Sequence, residues 1–161
     1  MLQYLNELCD ILEKFSLNKD DVVIVGSGAI AAKGIRVNGD LEIAIRPNVL
    51  KRMPFFNPAV RWHVALSDNI DCFRNQFWNI GISDDDIFKD ALFIRVDGFK
   101  IVLLEIEFLY KLSLNRPKDC NDLILIRNFD KKIDNTSIKY KRNWLKRFIN
   151  RIFCKISLKL H

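Results

Sequence analysis

Two short groups of residues have the types and spacing needed to bind a nucleotide and a metal ion. Gly26-Ser27 directly follows the apolar run 22–25, and Asp40 and Glu42 come 14 and 16 residues after Gly26. A turn between a strand and a helix points backbone N–H groups at an anion such as phosphate. Two acids at i and i+2 of one strand share a face and offer the hard oxygen ligands that suit Mg²⁺. The spacing predicts a phosphate-binding turn beside a metal-binding pair.

The elements that must position these residues can be predicted from their patterns. Residues 22–25 form a β-branched, buried strand, residues 29–33 a short helix stopped by Gly34, and residues 40–45 an alternating strand ended by Pro47. Asp97-Gly98 between two apolar runs predicts a hairpin over residues 93–102. The remaining predicted elements are helices over 2–15, 105–114 and 119–128, and a strand at 62–66 or 69–73. This order indicates an α/β (α+β) fold with a mixed sheet and flanking helices.

The chain resembles the nucleotidyltransferase superfamily with the minimal polymerase-β-like core at these residues. The resemblance lies in Val25-Gly26-Ser27, a gap of about a dozen residues, and then Asp40-Leu41-Glu42-Ile43. A second stretch is similar to small bacterial members: residues 96–105 form a glycine-bearing hairpin, and Lys111 and an Arg-x-Lys-Asp-x-x-Asp run follow at 116–122. The likeness spans roughly residues 20 to 127.

The resemblance implies an activity and a set of site residues. Members transfer a nucleoside monophosphate from a nucleoside triphosphate (NTP) to a hydroxyl or phosphate group, with Mg²⁺ or Mn²⁺ held by the two strand acids and a third acid. Asp71, within Ile70-Asp71-Cys72, is the expected third acid and would also activate the acceptor hydroxyl. Asp97 and Glu105 are weaker candidates for that position. Gly26 and Ser27 would cradle the phosphates, and Lys111 could reach one, although an ion pair is the commoner role for such a lysine.

Other interpretations of the same residues stay open. Gly26-Ser-Gly28-Ala-Ile-Ala31 also fits a dinucleotide-binding turn, but its helix meets Gly34 almost at once. Asp40 and Glu42 could line the solvent face of an edge strand, and Asp71 could be solvated. A non-catalytic adaptor or binding module with a nucleotidyltransferase fold is the alternative to an enzyme, because the chain has little room for a dedicated acceptor domain.

The length of 161 residues predicts one compact domain with an appendage, divided here into 1–130 and 131–161. The four cysteines are widely spaced, so a zinc site is not expected. No secretory signal or membrane-spanning run is recognised, which favours a cytoplasmic location. Trp62 and Trp78 are expected in the core.

Residues 131–161 form a basic tail, with ten Lys or Arg residues and one acidic residue, Asp134. Trp144, Phe148, Ile152 and Ile156 repeat every four residues, which predicts a basic amphipathic helix. Peripheral contact of residues 139–161 with the inner membrane and packing on the domain or on a second subunit are equally favoured; nucleic acid is less favoured. Membrane contact would suit work on surface-polysaccharide precursors, but nothing selects the acceptor or the oligomeric state.

Overall fold

The computed structural model describes residues 2–57, 59 and 63–133. These residues contain a six-stranded mixed sheet, which confirms the predicted fold class. The strands are β1 (Val22–Val25), β2 (Leu41–Ile45), β3 (His63–Ala65), β4 (Ile70–Phe73), β5 (Phe93–Val96) and β6 (Phe99–Val102). Their order across the sheet is β3-β4-β2-β1-β6-β5. The predicted helix in the tail lies outside the described residues.

Strand β1 lies in the middle of the sheet because its four residues are all apolar and β-branched. Each is completely buried, as expected for a strand covered on both faces. It pairs with β2 in an antiparallel arrangement and with β6 in a parallel one. The antiparallel β1–β2 pairing contradicts a dinucleotide-binding unit, in which the strand after the helix runs parallel to the first strand.

Helices flank the sheet. They are α1 (Leu5–Lys14), α2 (Ser27–Ala32), α3 (Pro47–Leu50), α4 (Leu104–Leu114) and α5 (Cys120–Phe129). Helix α1 buries Leu8, Ile11 and Leu12 in the same core as β1, as its apolar spacing predicts. A smaller apolar cluster joins α2, α4 and α5 and includes Phe108, Ile126 and Ile133. The packed part of the chain therefore reaches at least residue 133.

Several predictions about local structure hold, and some need correction. Asp97 and Gly98 both have positive φ, as the predicted two-residue hairpin turn requires. Both alternatives for the later strand are present, as β3 and β4. Helix α2 begins at Ser27, so the Gly-Ser turn already contains the first helical residue. Trp78 is 60% exposed, so its predicted place in the core is wrong; Trp62 lies outside the described residues.

Five short 3-10 helices complete the described elements, at Lys19–Asp21, Trp78–Ile80, Asp86–Phe88, Asp90–Leu92 and Pro117–Asp119. Among the described residues, no helix has both the length and the apolar character that crossing a bilayer requires.

Candidate nucleotide and metal site

The Gly26 turn connects β1 to α2 and has a backbone conformation that only glycine adopts readily. Gly26 has φ 60° and ψ −136°. A Cβ atom at this position would lie 1.3 Å from Glu42 Oε2, so the carboxylate of Glu42 fills the space that a side chain would occupy. The Gly26 N–H donates to Glu107 Oε2 at 3.0 Å. Gly26 is thus in contact with two carboxylates, one from β2 and one from α4.

Asp40 and Glu42 both come to this turn. Ser27 Oγ lies 3.1 Å from the main-chain oxygen of Asp40 and 3.2 Å from its Oδ1, so the hydroxyl can donate to either. Asp40 is exposed and immediately precedes β2, while Glu42 is half-buried within it, opposite Val25 of β1. Burial and the negative charge of Asp40 together raise the pKa of Glu42. The structure thus brings the two predicted acids to the predicted turn, on the same side of the sheet.

Asp71 lies beside Glu42 in the sheet. Strands β2 and β4 are parallel, and Glu42 and Asp71 are direct partners in their register, so the two side chains leave the same face. Asp71 is half-buried. Within residues 2–57, 59 and 63–133, however, no group of three or more His, Cys, Asp or Glu side chains is arranged to hold a metal ion. The register supports Asp71 as a neighbour of the pair without making it a third ligand.

The weaker candidates for the third acid lie elsewhere. The register between β1 and β6 puts Val23 opposite Lys100, so Asp97, just before β6, is at the end of β1 away from Gly26. Its main-chain oxygen accepts a hydrogen bond from Lys19 instead. Helix α4 does bring an acid to the turn, but that acid is Glu107, two residues after the candidate Glu105.

Lys111 is buried in an ion-pair network between α4 and α5. Its Nζ lies 3.0 Å from Asp122, 3.2 Å from Asp119 and 3.7 Å from Glu107. Burial alone would lower the pKa of Lys111, but these three carboxylates outweigh it and raise the pKa, so the ammonium stays charged. The ion-pair role that the sequence favoured for Lys111 is observed, and its cation already faces three anions.

Two arginines complete the network on its outer side. Arg36 pairs with both carboxylate oxygens of Asp122, at 2.6 and 2.9 Å, and Arg116 pairs with both oxygens of Asp119, at 2.6 and 3.1 Å. Such two-point contacts between guanidinium and carboxylate are strong and directional. For both aspartates, the hydrogen bonds and positive charges outweigh burial and lower the pKa.

Glu107 is the member of the network with the least compensation, and sequence reasoning missed it. It is completely buried, and its Oε1 has no hydrogen-bond partner within the part of the chain that the structure describes. Burial raises its pKa to about 7, although the charge of Lys111 acts in the opposite direction. The only sequence signal was the i, i+4 spacing of Glu107 and Lys111 on a predicted helix, which is typical of surface ion pairs too.

Comparison of the chain with protein-family models, with curated proteins and with solved structures gives no match. The nucleotidyltransferase resemblance therefore stays a prediction, and only the geometry of the site supports a function.

Proposed function

We propose that this chain is a metal-dependent nucleotidyltransferase that moves a nucleoside monophosphate from an NTP to a hydroxyl or phosphate acceptor. One observation carries the proposal: the two acids of Asp40-Leu41-Glu42 meet the glycine-serine turn after β1, where Ser27 Oγ contacts Asp40 and the Glu42 carboxylate packs on Gly26. An acid pair on a solvated edge strand would not need this contact with a neighbouring turn.

The donor set suits Mg²⁺ or Mn²⁺. Asp40 and Glu42 supply hard oxygen ligands, and Mg²⁺ is commonly bound by one or two carboxylates together with substrate phosphates and water, so three protein ligands are not required. Burial, and after it the negative charge of Asp40, raises the pKa of Glu42, and a cation bound between the two acids would favour the charged form of both. When bound, such an ion would neutralise phosphate charge and orient the pyrophosphate leaving group.

The chain's own residues divide the remaining work. Ser27 holds the Asp40 carboxylate toward the turn, and Asp71, beside Glu42, accepts the proton of the acceptor hydroxyl. The Gly26 N–H is occupied by Glu107 and the Ser27 hydroxyl by Asp40, so the main-chain amides that follow Gly26 contact the phosphates.

The cation for the phosphates is better sought outside the buried network. Because Lys111 already faces three carboxylates, it does not contact the nucleotide directly in this proposal. Lys118 takes its place, since it is exposed and its charge acts on Glu42.

The experiment is a calorimetric titration of the full chain with Mg²⁺ and NTP, and the test variant is Asp40→Ala/Glu42→Ala. The matched control is Asp10→Ala/Glu13→Ala, which removes two exposed acids from α1. We expect metal-dependent NTP binding in the wild type and in the control, and at least a tenfold loss in the test variant. Equal binding by both variants would remove the acid pair from the site.

A non-catalytic binding module with the same fold is the second candidate. The observation that favours it is that the Gly26 N–H and Lys111, which the sequence assigned to the nucleotide, are already bound by carboxylates of this chain. NTP binding that is absent from the wild type, or that needs no metal, would favour this candidate over the enzyme.

The tail extends the proposal to location. The described residues contain no membrane-spanning helix, and we propose that residues 139–161 hold the protein at the cytoplasmic face of the inner membrane through basic and apolar contacts. An acceptor in surface-polysaccharide precursor chemistry would suit that location.

A further inference from the structure

Glu107 contacts the candidate site by accepting a hydrogen bond from the backbone of the Gly26 turn. Its Oε2 accepts the N–H of Gly26 at 3.0 Å, and this amide is the one that sets the direction of the peptide between β1 and the turn. Gly26 has φ 60° and ψ −136°, a conformation that other residues rarely adopt. Because glycine also allows many other backbone conformations, contacts from the rest of the fold must stabilise this one.

The surroundings of Glu107 do not suit a residue kept for stability alone. The side chain is completely buried, and among the described residues nothing donates a hydrogen bond to Oε1. Lys111 Nζ lies 3.7 Å away and also faces Asp119 and Asp122. A buried carboxylate with incomplete partners destabilises a fold relative to an apolar side chain of similar size. A carboxylate at this place is better explained by the amide that it accepts.

We propose that Glu107, anchored by Lys111, is a positioning residue that holds the Gly26–Ser27 turn in the orientation at which Glu42 and Asp40 meet it. Three contacts connect α4 to the acid pair. Lys111 pairs with Glu107, Glu107 accepts the Gly26 N–H, and the Glu42 carboxylate packs on Gly26. Helix α4 thereby fixes a turn to which it is not joined in sequence. This inference rests on the proposed function, because the turn matters only if it binds phosphate beside the acid pair.

Two substitutions separate positioning from stability. Glu107→Gln keeps an oxygen that can accept the Gly26 N–H, whereas Glu107→Leu removes the acceptor and fills the buried space. We expect Glu107→Leu to keep its fold and its resistance to urea, yet to bind Mg²⁺–NTP at least tenfold more weakly than wild type. Glu107→Gln should restore binding to within about threefold of wild type.

The second readout is the Gly26 amide itself, followed by NMR in the full chain without nucleotide. A carboxylate acceptor should shift this amide proton downfield and slow its exchange with solvent in the wild type. Both signs should persist in Glu107→Gln and disappear in Glu107→Leu. This measurement needs neither metal nor activity, and its wild-type and Glu107→Gln arms remain decisive if the leucine variant does not fold.

The outcomes distinguish the two proposals. If the wild type binds no NTP, the proposed function fails, whereas the Gly26 amide still reports whether Glu107 holds the turn. If the wild type binds NTP and folded Glu107→Leu binds it equally well, the positioning role is overturned. An unprotected Gly26 amide in the wild type would overturn it as well.

Discussion

Replacing Gly26 by alanine tests the contact on which the candidate site depends. The new Cβ would lie 1.3 Å from Glu42 Oε2 and 2.4 Å from its Cδ, so the carboxylate must leave the turn. The backbone angles, φ 60° and ψ −136°, cost a residue with a side chain about 1–3 kcal/mol. The glutamate side chain can rotate away, but its Cβ, 3.2 Å from the new Cβ, is fixed by β2 and must shift by a few tenths of an ångström. We expect the free energy of unfolding to fall by about 1–3 kcal/mol.

The binding effect of Gly26→Ala should exceed its effect on stability. The displaced Glu42 carboxylate would no longer face the turn with Asp40, so Mg²⁺–NTP affinity should fall tenfold or more. Urea unfolding gives the stability and calorimetry gives the affinity. The control is Gly39→Ala, because a Cβ at Gly39 would meet no atom of the described residues within 4 Å. That variant should keep wild-type affinity, and its free energy of unfolding should stay unchanged or rise by up to about 1 kcal/mol.

Two results would refute this reasoning. If Gly26→Ala matches Gly39→Ala in both stability and affinity, the close approach of Glu42 to Gly26 is not a feature of the folded protein. If Gly26→Ala loses stability but keeps full affinity, the contact exists but the acid at position 42 does not serve nucleotide binding.

Three further predictions concern the charged groups. Lys111→Met leaves three buried carboxylates without their shared cation and should lower the free energy of unfolding in urea by about 3–5 kcal/mol. Lys118→Ala should leave stability unchanged and weaken NTP binding about tenfold. A stable Lys111→Met variant that binds NTP weakly, beside a destabilised Lys118→Ala variant with full affinity, would contradict both assignments. Because the pKa of Glu107 rises from 4.5 to about 7 on folding, the folded state binds the extra proton, and the wild type should lose stability relative to Glu107→Gln as pH rises from 4.5 to 7, by a total on the order of 3 kcal/mol; a flat difference between the two would contradict the raised pKa. The full chain should co-sediment with vesicles that contain anionic lipids, whereas a chain lacking residues 139–161 should not. Equal pelleting of the two chains would contradict the membrane proposal.

Much of the fold follows from local patterns in the sequence. The run 22–25 is apolar and β-branched throughout, so a central strand is its only favourable place, and Asp97-Gly98 specifies the hairpin turn through positive φ at both residues. Pro47 was predicted only to end a strand, but it also begins the short helix α3, because proline is favourable at the first position of a helix. The exposure of Trp78 was also missed, since burial depends on tertiary contacts that the residue type does not specify.

The acid pair and the turn were predictable for a related reason. The i, i+2 alternation sets the face of Asp40 and Glu42, and the antiparallel return from β1 through α2 to β2 brings that face to Gly26. The position of Asp71 beside Glu42 could not be predicted from local sequence, because the order and register of strands in a sheet depend on tertiary contacts. Only the parallel pairing of β2 with β4 puts Asp71 beside Glu42. The sequence could propose Asp71 by resemblance but could not place it.

Glu107 and Lys111 show where sequence reasoning stops. On a helix, Glu and Lys four residues apart predict a solvated pair worth a few tenths of a kcal/mol, and nothing in that spacing reveals that α5 will cover them. The cover comes from Asp119 and Asp122, whose own charges are balanced from outside by Arg116 and Arg36. Because the arginines compensate those two aspartates, the charge of Lys111 can also act on Glu107, although Lys111 Nζ lies farther from Glu107 than from either aspartate. Glu107 keeps its other oxygen for the Gly26 amide. The role of each charged group therefore depends on which groups α4, the segment 116–122 and Arg36 bring next to it in the fold.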